Sequence, residues 1–362
     1  MHIPDRIIIV GGLPRTGKTI LRNTLGSHSQ IAFTPTALNF FYWFSNKSFT
    51  ERGGFQENLE FFLRNTWIAE KWDIKDEETN NSGKSRRELF LAILDIFRTK
   101  FYPDRNYVGT YIHLSEEYFH TLIDWFGFER LRFLQIIRNP YENYSSYIKN
   151  RKISKELRKS NRYNSFVNLF CNMWGQSAVM GINRALKHPN TCRVLYFEEL
   201  LRRPEETILS ICDWIGVDRE SDRMLEMVDF PRRQNSAFID TDNKEFKGTP
   251  ISQDTIDRIK FLTDYEIETI RSTACTDILN AMDYHREPVI INFKFYPESI
   301  KNQKVLSKLH SVTKSYLAPL PYRTTFFIFL FQIIQINAVV KIISMIKVGI
   351  KYLIRRFFRY IH

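Results

Sequence analysis

The sequence predicts an α/β fold, in which a parallel β-sheet is flanked by helices on both faces and a C-terminal amphipathic helical tail follows. Two observations lead to this fold. Short apolar runs typical of buried strands alternate with longer amphipathic stretches, and that alternation is typical of parallel sheets. The first run, Ile7–Val10, ends in the glycine-rich segment Gly11–Lys18, and the amphipathic stretch Ile20–Leu25 follows.

The later elements keep the alternating order. After the first strand, the β-rich or fully apolar runs predict strands at Tyr107–Ile112, Arg132–Ile137 and Cys192–Phe197. A charged surface loop is expected at Lys75–Arg87, and a proline that suits a first helical turn opens one of the helices. The predicted helices are Asn39–Ser45, Phe55–Trp72, Arg87–Phe101, Ser115–Trp125, a helix beginning at Pro140, Ser165–Lys187 and Glu205–Ile215.

The length and composition predict a large body followed by a distinct tail. The chain has 362 residues and is 43% hydrophobic, which allows a sizeable core. We expect one domain over residues 1–287, a connecting basic segment over 288–322 and a basic amphipathic helix over 323–362. Four cysteines show neither close pairing nor metal-ligand spacing, and no signal peptide precedes the first strand, so a cytoplasmic protein is expected. These cysteines are Cys171, Cys192, Cys212 and Cys275.

The net charge of +12 is concentrated in the C-terminal part of the chain. The segment Lys301–His362 contains 11 Lys or Arg and no Asp or Glu, which leaves the preceding body almost neutral. An almost neutral body is not typical of a general nucleic-acid binder, so no nucleic-acid partner is expected.

The segment Gly12–Thr19 has the spacing of a nucleotide-binding loop of the P-loop type. Glycines allow the sharp turn, backbone N–H groups point inward, and the start of a helix adds positive potential. A phosphate-like anion is therefore expected here. A kinase would also need a carboxylate for magnesium at the end of a second apolar strand. The strand Phe133–Ile137 ends instead in Arg138, which favours a second phosphate.

Three segments resemble motifs of the sulfotransferases that use 3′-phosphoadenosine 5′-phosphosulfate (PAPS). Leu13–Thr19 resembles the family's 5′-phosphosulfate loop, and Ile136–Tyr147 resembles its 3′-phosphate motif, with an arginine and a serine eight residues apart. Val194–Glu206 resembles the strand and turn usually written Tyr-Glu-Asp-Leu and Pro-Glu. The order and approximate spacing also fit, and the resemblance runs from about Arg6 to Tyr284.

The resemblance implies a sulfotransferase with PAPS as co-substrate and no metal. Arg15 would donate to the 5′-phosphate and the bridging oxygen, and Arg138 with Ser146 would bind the 3′-phosphate. Two positions depart from the family pattern: Lys18 replaces a threonine or serine, and Phe197 stands where tyrosine is frequent. The residues implied to hold the donor are Arg15, Thr16, Gly17, Lys18, Thr19, Arg138, Ser146, Tyr196, Lys247 and Gly248.

The catalytic base is predicted from the same resemblance. One branch of the family uses a glutamate about twenty residues after the basic loop residue, and the segment Phe33–Asn39 has no carboxylate there. Another branch uses a histidine at the end of the strand before the arginine strand, and His113 occupies that position. An imidazole suits a general base near neutral pH. A structural histidine at a strand end fits equally, and the alternative bases are Glu51, Glu57 and Glu60.

The tail has one polar stripe on an otherwise apolar helix. Its polar positions recur every three or four residues from Asn337 to Arg359, and its most apolar part, Phe326–Val340, is interrupted by polar residues. This pattern favours a helix lying in the interface of a membrane with anionic lipids, on its inner face. Two alternatives remain: a helix that docks on the body or a partner, and a transmembrane helix.

The expected activity is sulfuryl transfer from PAPS to an acceptor hydroxyl, on a glycan or a lipid-linked glycan at a membrane. The alternatives are a P-loop kinase that uses ATP and magnesium, and a non-catalytic, membrane-associated nucleotide-binding module. The missing magnesium carboxylate argues against the first alternative, and His113 argues against the second.

Overall fold

The computed structural model describes residues 4–75, 77, 83–112, 115–150, 158, 161–227 and 259–272. Two compact units divide them. The first contains the described residues up to Asn139 and those from Ser177 to 227, and the second contains Pro140–Gln176 together with 259–272. The segment 288–322 and the tail 323–362 lie outside the described residues, as does Cys275.

A parallel sheet of five strands forms the centre of the first unit, with strand order β2-β3-β1-β4-β5. Each neighbouring pair is parallel, and β1 lies between β3 and β4, so both of its edges are hydrogen-bonded. The strands are β1 (Arg6–Gly11), β2 (Ile31–Phe33), β3 (Tyr107–Tyr111), β4 (Leu131–Ile137) and β5 (Cys192–Tyr196).

The helices agree with the predicted order and differ in their bounds. They are α1 (Lys18–Gly26), α2 (Phe40–Trp43), α3 (Asn46–Glu51), α4 (Phe55–Asn65), α5 (Trp67–Lys71), α6 (Arg86–Phe101), α7 (Phe119–Arg130), α8 (Pro140–Asn150), α9 (Asn161–Lys187), α10 (Phe197–Arg202), α11 (Pro204–Ile215), α12 (Ser221–Glu226) and α13 (Asp264–Ser272), with 3₁₀ turns at Ser115–Tyr118 and Ile259–Phe261. None of the described helices is long and apolar enough to cross a membrane.

Local side-chain chemistry explains several of these bounds. The predicted helix over 55–72 is two helices, because Thr66 is extended and its hydroxyl caps the N–H of Ala69 at the start of α5. Helix α6 begins at a reciprocal capping box between Ser85 and Glu88. The strand predicted to end at Phe197 ends one residue earlier, because that residue already begins α10.

Apolar residues cover both faces of the sheet. Along β1, Ile7 and Ile9 join one buried cluster with the aromatic residues of α2, α4 and α6. Ile8 and Val10 point to the opposite face and join a second cluster with α1, α10 and α11. A strand buried on both faces needs a continuous apolar sequence, and β1 has one. This confirms the predicted α/β fold and its parallel sheet with helices on both faces.

The second unit contains α8, the first part of α9, the turn Ile259–Phe261 and α13. A buried ion pair connects its segments: Arg158 Nη1 lies 2.8 Å from Glu266 Oε2. Arg158 Nη2 also donates to the carbonyl of Phe261 at 2.9 Å. Residues far apart in sequence are thereby held together within this unit.

Candidate anion-binding site

The order of the strands determines where a ligand can bind in the first unit. The chain leaves β1 toward β2 on one side of the sheet, and it leaves β4 toward β5 on the other side. In open parallel sheets, a crevice forms at the carboxyl ends of two neighbouring strands whose connections diverge in this way. The glycine-rich loop follows β1 and Arg138 follows β4, so the topology brings these two motifs to the same edge.

The loop between β1 and α1 has the backbone of an anion-binding turn. Gly12, Arg15 and Gly17 all have positive φ, at 118°, 70° and 104°. Gly17 is the residue before the first turn of α1, and the first N–H groups of an α-helix have no carbonyl of their own helix to bind. These N–H groups and the helix dipole favour an anion at this end of α1.

The loop also contains a buried cation. Lys18 Nζ donates to the carbonyl oxygens of Gly12 and Leu13, the second at 2.6 Å, and the residue is only 6% exposed. Burial lowers the pKa of Lys18 to about 8, and the nearby Glu116 carboxylate opposes this shift. The Thr16 hydroxyl donates to Leu13 O at 2.8 Å, which closes the turn.

A buried carboxylate supports the loop. Glu116 is fully buried, and its Oε1 accepts hydrogen bonds from Gly12 N at 3.1 Å, Gln135 Nε2 at 2.8 Å and Ser177 Oγ at 2.7 Å. These four residues belong to the loop, the 3₁₀ turn after β3, strand β4 and helix α9. Four distant segments of the chain therefore meet at one carboxylate oxygen.

Two glycines make room for Gln135 in the sheet. A Cβ on Gly11, the β1 neighbour of Gln135, would lie 2.7 Å from Gln135 Oε1 and 2.7 Å from Ser115 Oγ. A Cβ on Gly181 of α9 would lie 2.5 Å from Gln135 Cγ. A polar side chain therefore occupies a tightly packed position in an otherwise apolar stretch of β4.

The arginine after β4 lies against the loop. Arg138 Nη1 donates to the carbonyl of Arg15 at 3.2 Å, and the guanidinium carbon lies 4.5 Å from the centre of the Phe197 ring. The N–H of Asn139 donates to Glu198 Oε1 at 2.9 Å, which fixes the turn that carries Arg138. Phe197 also contacts the loop, because a Cβ on Gly17 would lie 2.2 Å from its ring.

The structure brings together some of the predicted donor-binding residues. Arg15, Thr16, Gly17, Lys18, Thr19 and Arg138 all belong to the loop region at the ends of β1 and β4. Tyr196 is the buried last residue of β5, where burial, with a further contribution from Glu198, raises its pKa well above the ordinary value. Ser146 lies on α8 of the second unit, so its predicted pairing with Arg138 stays a prediction.

The candidate bases differ in what the structure shows of them. His113, the predicted base, lies outside the described residues, as do Lys247 and Gly248. Glu51 ends α3, and its carboxylate lies 3.6 Å from Lys47 Nζ on the exposed surface. Glu57 and Glu60 are exposed on α4. Their roles as bases stay predictions.

Sequence analysis missed Glu116, Gln135, Glu198 and Ser177. Glu116 stands in an ordinary polar turn, so no local pattern marks it. Gln135 did carry a signal, because it is an amide in an otherwise apolar strand. Among the described residues, no group of three or more His, Cys, Asp or Glu side chains is arranged to hold a metal ion.

A model of the sulfotransferase family matches residues 7–221, which is more than half of the chain. The chain belongs to the sulfotransferase family. The match contains β1, the loop, β4 and β5, and it confirms the resemblance found in the sequence motifs. As a member of this family, the protein is assigned to the transferases.

Several relatives of this sulfotransferase have low sequence identity to it. A Caenorhabditis briggsae protein described as "Putative protein-tyrosine sulfotransferase" is 24% identical over 251 residues, which cover 68% of this chain and 76% of the relative. Among solved structures, a sulfotransferase domain from the curacin biosynthetic pathway has a TM-score of 0.45 at 19% identity, covering 75% of this chain and 97% of that domain. A mouse sulfotransferase complexed with PAP has a TM-score of 0.42 at 13% identity, and the match covers 77% of this chain and 88% of that chain.

Proposed function

We propose that this sulfotransferase transfers a sulfuryl group from PAPS to an acceptor hydroxyl. The observation that supports this most strongly is the contact between Arg138 and the loop. A guanidinium that follows one strand donates to the carbonyl of Arg15, in the anion-binding turn that follows the neighbouring strand. PAPS carries a 5′-phosphosulfate and a 3′-phosphate, so it needs cationic donors at two places on one nucleotide.

Each step of the transfer has a matching group in this proposal. The bond between sulfur and the 5′-phosphate oxygen breaks, and a bond between sulfur and the acceptor oxygen forms. The N–H groups at the start of α1, together with Arg15 and Lys18, stabilise the charge that develops on the leaving phosphate. A base, proposed to be His113, takes the acceptor proton. The products are a sulfate ester and adenosine 3′,5′-bisphosphate.

Glu116 bears on the kinase alternative. Among the described residues it is the carboxylate that hydrogen-bonds the loop backbone; its Oε1 already accepts three hydrogen bonds, and its Oε2 is buried away from the surface. A metal that bridges a nucleotide and the protein needs a carboxylate that faces the ligand. The donor set therefore fits PAPS better than a magnesium nucleotide.

Binding measurements distinguish these functions. Adenosine 3′,5′-bisphosphate should bind in the presence of EDTA and much more tightly than ADP, as measured by calorimetry. Equal affinity for both, or a requirement for magnesium, would contradict the proposal.

His113→Ala should lose at least about 100-fold in turnover and keep its affinity for the bisphosphate. If more than a tenth of the activity remains, Glu51, Glu57 and Glu60 become the next candidates.

The acceptor is proposed to be a hydroxyl on a glycan or lipid-linked glycan. A tyrosine hydroxyl is the second candidate, because the described activity of the Caenorhabditis briggsae relative is protein-tyrosine sulfation. Radiolabelled PAPS offered with each class of acceptor separates the two. Label in a glycan or glycolipid fraction supports the first, and alkali-stable, acid-labile label on a peptide tyrosine supports the second.

The basic tail is proposed to hold the enzyme at the cytoplasmic face of a membrane. Its seven Lys or Arg side chains over 323–362 and its apolar face suit anionic lipid. The full chain should bind vesicles that contain phosphatidylserine and be released by alkaline carbonate. Replacing Lys347, Lys351, Arg355 and Arg359 with glutamate should abolish this binding and leave bisphosphate affinity unchanged. Retained vesicle binding would contradict the interfacial helix.

A further inference from the structure

Two buried charged side chains bind the backbone of Gly12, one at its N–H group and the other at its carbonyl oxygen. Glu116 Oε1 accepts the N–H of Gly12 at 3.1 Å, and Lys18 Nζ donates to its carbonyl oxygen. Glu116 is fully buried and Lys18 is 6% exposed. The first glycine of the loop is therefore fixed by an anion on one side and a cation on the other.

Among the described residues, hydrogen bonds reach only one of the two carboxylate oxygens of Glu116. All three of its hydrogen bonds end on Oε1, whereas Oε2 is buried without a hydrogen-bond partner among the described residues. Leaving a buried carboxylate oxygen unbonded is costly unless a nearby positive charge compensates for it. Lys18 lies close to Glu116, because the two side chains bind the carbonyl oxygen and the N–H of the same residue, Gly12.

Three arginines and the Glu198 carboxylate are further charged groups of the described loop region, and Glu198 accepts the N–H of Asn139. Arg15 is in the loop, Arg22 is one turn further along α1, and Arg138 touches the loop from the end of β4. Burial lowers the pKa of Lys18 to about 8, and Glu116 is the group that opposes this shift. Without Glu116, the carboxylate that raises the pKa of Lys18 would be missing, so Lys18 would lose its proton at a lower pH.

We propose that Glu116 is a positioning residue of the donor site, which fixes the Gly12 peptide and keeps Lys18 in its cationic form for the phosphosulfate. The role of Lys18 rests on the proposed use of the loop for PAPS. The action of Glu116 on Lys18 does not, so the two parts can be tested separately. A purely structural Glu116 would hold the loop in place without changing how Lys18 titrates.

The experiment measures how the affinity for adenosine 3′,5′-bisphosphate depends on pH between 6.5 and 9.5. In the wild-type protein, affinity should fall above about pH 8, because Lys18 loses its proton. In Glu116→Gln, which keeps the side-chain length and an acceptor oxygen, the fall should begin about one pH unit lower. Glu117→Gln removes the same charge from the neighbouring, half-buried residue and should leave the midpoint unchanged.

Lys18→Met provides the second control. This variant should show no fall in affinity over the same pH range, whether or not Glu116→Gln is also present. Glu116→Asp keeps the charge but is shorter, so it should retain the wild-type midpoint even if its affinity is lower at every pH. If Glu116→Gln does not fold, Glu116→Met, which also removes the charge, takes its place.

A lower affinity in Glu116→Gln at every pH with an unchanged midpoint would overturn the proposal, because it indicates support of the loop alone. So would a shifted midpoint in Glu116→Asp. If the wild-type protein binds no bisphosphate at all, the proposed function fails instead. The pH dependence of urea unfolding without ligand then gives the Lys18 midpoint independently: a shift in Glu116→Gln supports the action of Glu116, and no shift overturns it.

Discussion

The guanidinium of Arg138 lies 4.5 Å from the centre of the Phe197 ring, and the same ring packs against Gly17 of the loop. Phe197 therefore lies between the guanidinium of Arg138 and the start of α1. A planar guanidinium can stack on the ring and still donate to Arg15, whereas an ammonium can do only part of this.

Arg138→Lys should therefore weaken the binding of adenosine 3′,5′-bisphosphate although the charge is kept. The loss of a stacked, forked donor predicts a cost of about 1.5–3 kcal/mol, measured by calorimetry. Arg130→Lys makes the same change at an exposed position on α7 and should bind like the wild type. Equal affinities for both variants would show that Arg138 does not touch the nucleotide.

Glu198 should affect donor binding, because it hydrogen-bonds the turn that follows β4. Its Oε1 accepts the N–H of Asn139, the residue directly after Arg138. Glu198→Ala removes this acceptor and should raise the KM for PAPS several-fold with a smaller change in kcat, because it displaces Arg138 rather than the reacting atoms. Glu206→Ala, on the exposed face of α11, serves as the control. A loss confined to kcat would contradict this role.

The free energy of unfolding should depend on pH because Lys18 titrates differently in the folded and unfolded chains. Burial lowers the pKa of Lys18 from 10.5 to about 8 in the folded chain, so above pH 8 the unfolded chain binds more protons than the folded one. Stability from this group therefore rises with pH between about 8 and 10.5. Relative to Lys18→Met, the wild-type protein should gain about 3 kcal/mol over this range.

Urea unfolding at pH 7, 8, 9 and 10 measures this gain. Lys47→Met, at an exposed position of α3, should stay parallel to the wild type at every pH. A constant difference between Lys18→Met and the wild type across the range would show that Lys18 is not buried as a cation.

The packing around Gln135 predicts a non-additive pair of substitutions. Gly181→Ala places a Cβ 2.5 Å from Gln135 Cγ, and such overpacking costs about 1–3 kcal/mol of folding stability. In a Gln135→Ala background the γ carbon is gone and the nearest remaining contact is with Cβ at 3.2 Å, so Gly181→Ala should cost much less there. Urea unfolding of the four variants gives the coupling. Additive effects would mean that α9 and β4 can move apart freely.

The sequence predicts the parts of the site that lie in continuous segments. The loop, α1, β4 and Arg138 are all visible because apolar runs end at glycine or arginine signals. Strand β2 was missed because it has only three residues, Ile31–Phe33, too few for a periodic pattern. Glu51 and its neighbours on α4 were weighed as bases by position alone, and the structure shows them as exposed.

The support of the loop could not be predicted, because it depends on tertiary contacts. Glu116, Gln135 and Ser177 are far apart in the chain, and none has a sequence neighbour that reveals its partner. Phe197 looked like the end of a strand, and only the packing against Gly17 and Arg138 reveals its place. Contacts of this kind arise from the arrangement of the sheet rather than from local patterns.

The meeting of four segments at Glu116 has a consequence for biosynthesis. The loop lies within the first twenty residues and is made early, but its support is complete only when Ser177 on α9 has emerged from the ribosome. A nascent or truncated chain that ends before α9 should therefore display the whole loop sequence and yet bind nucleotide poorly. Under the proposed function, nucleotide binding by nascent chains would therefore measure how much of the tertiary structure has formed.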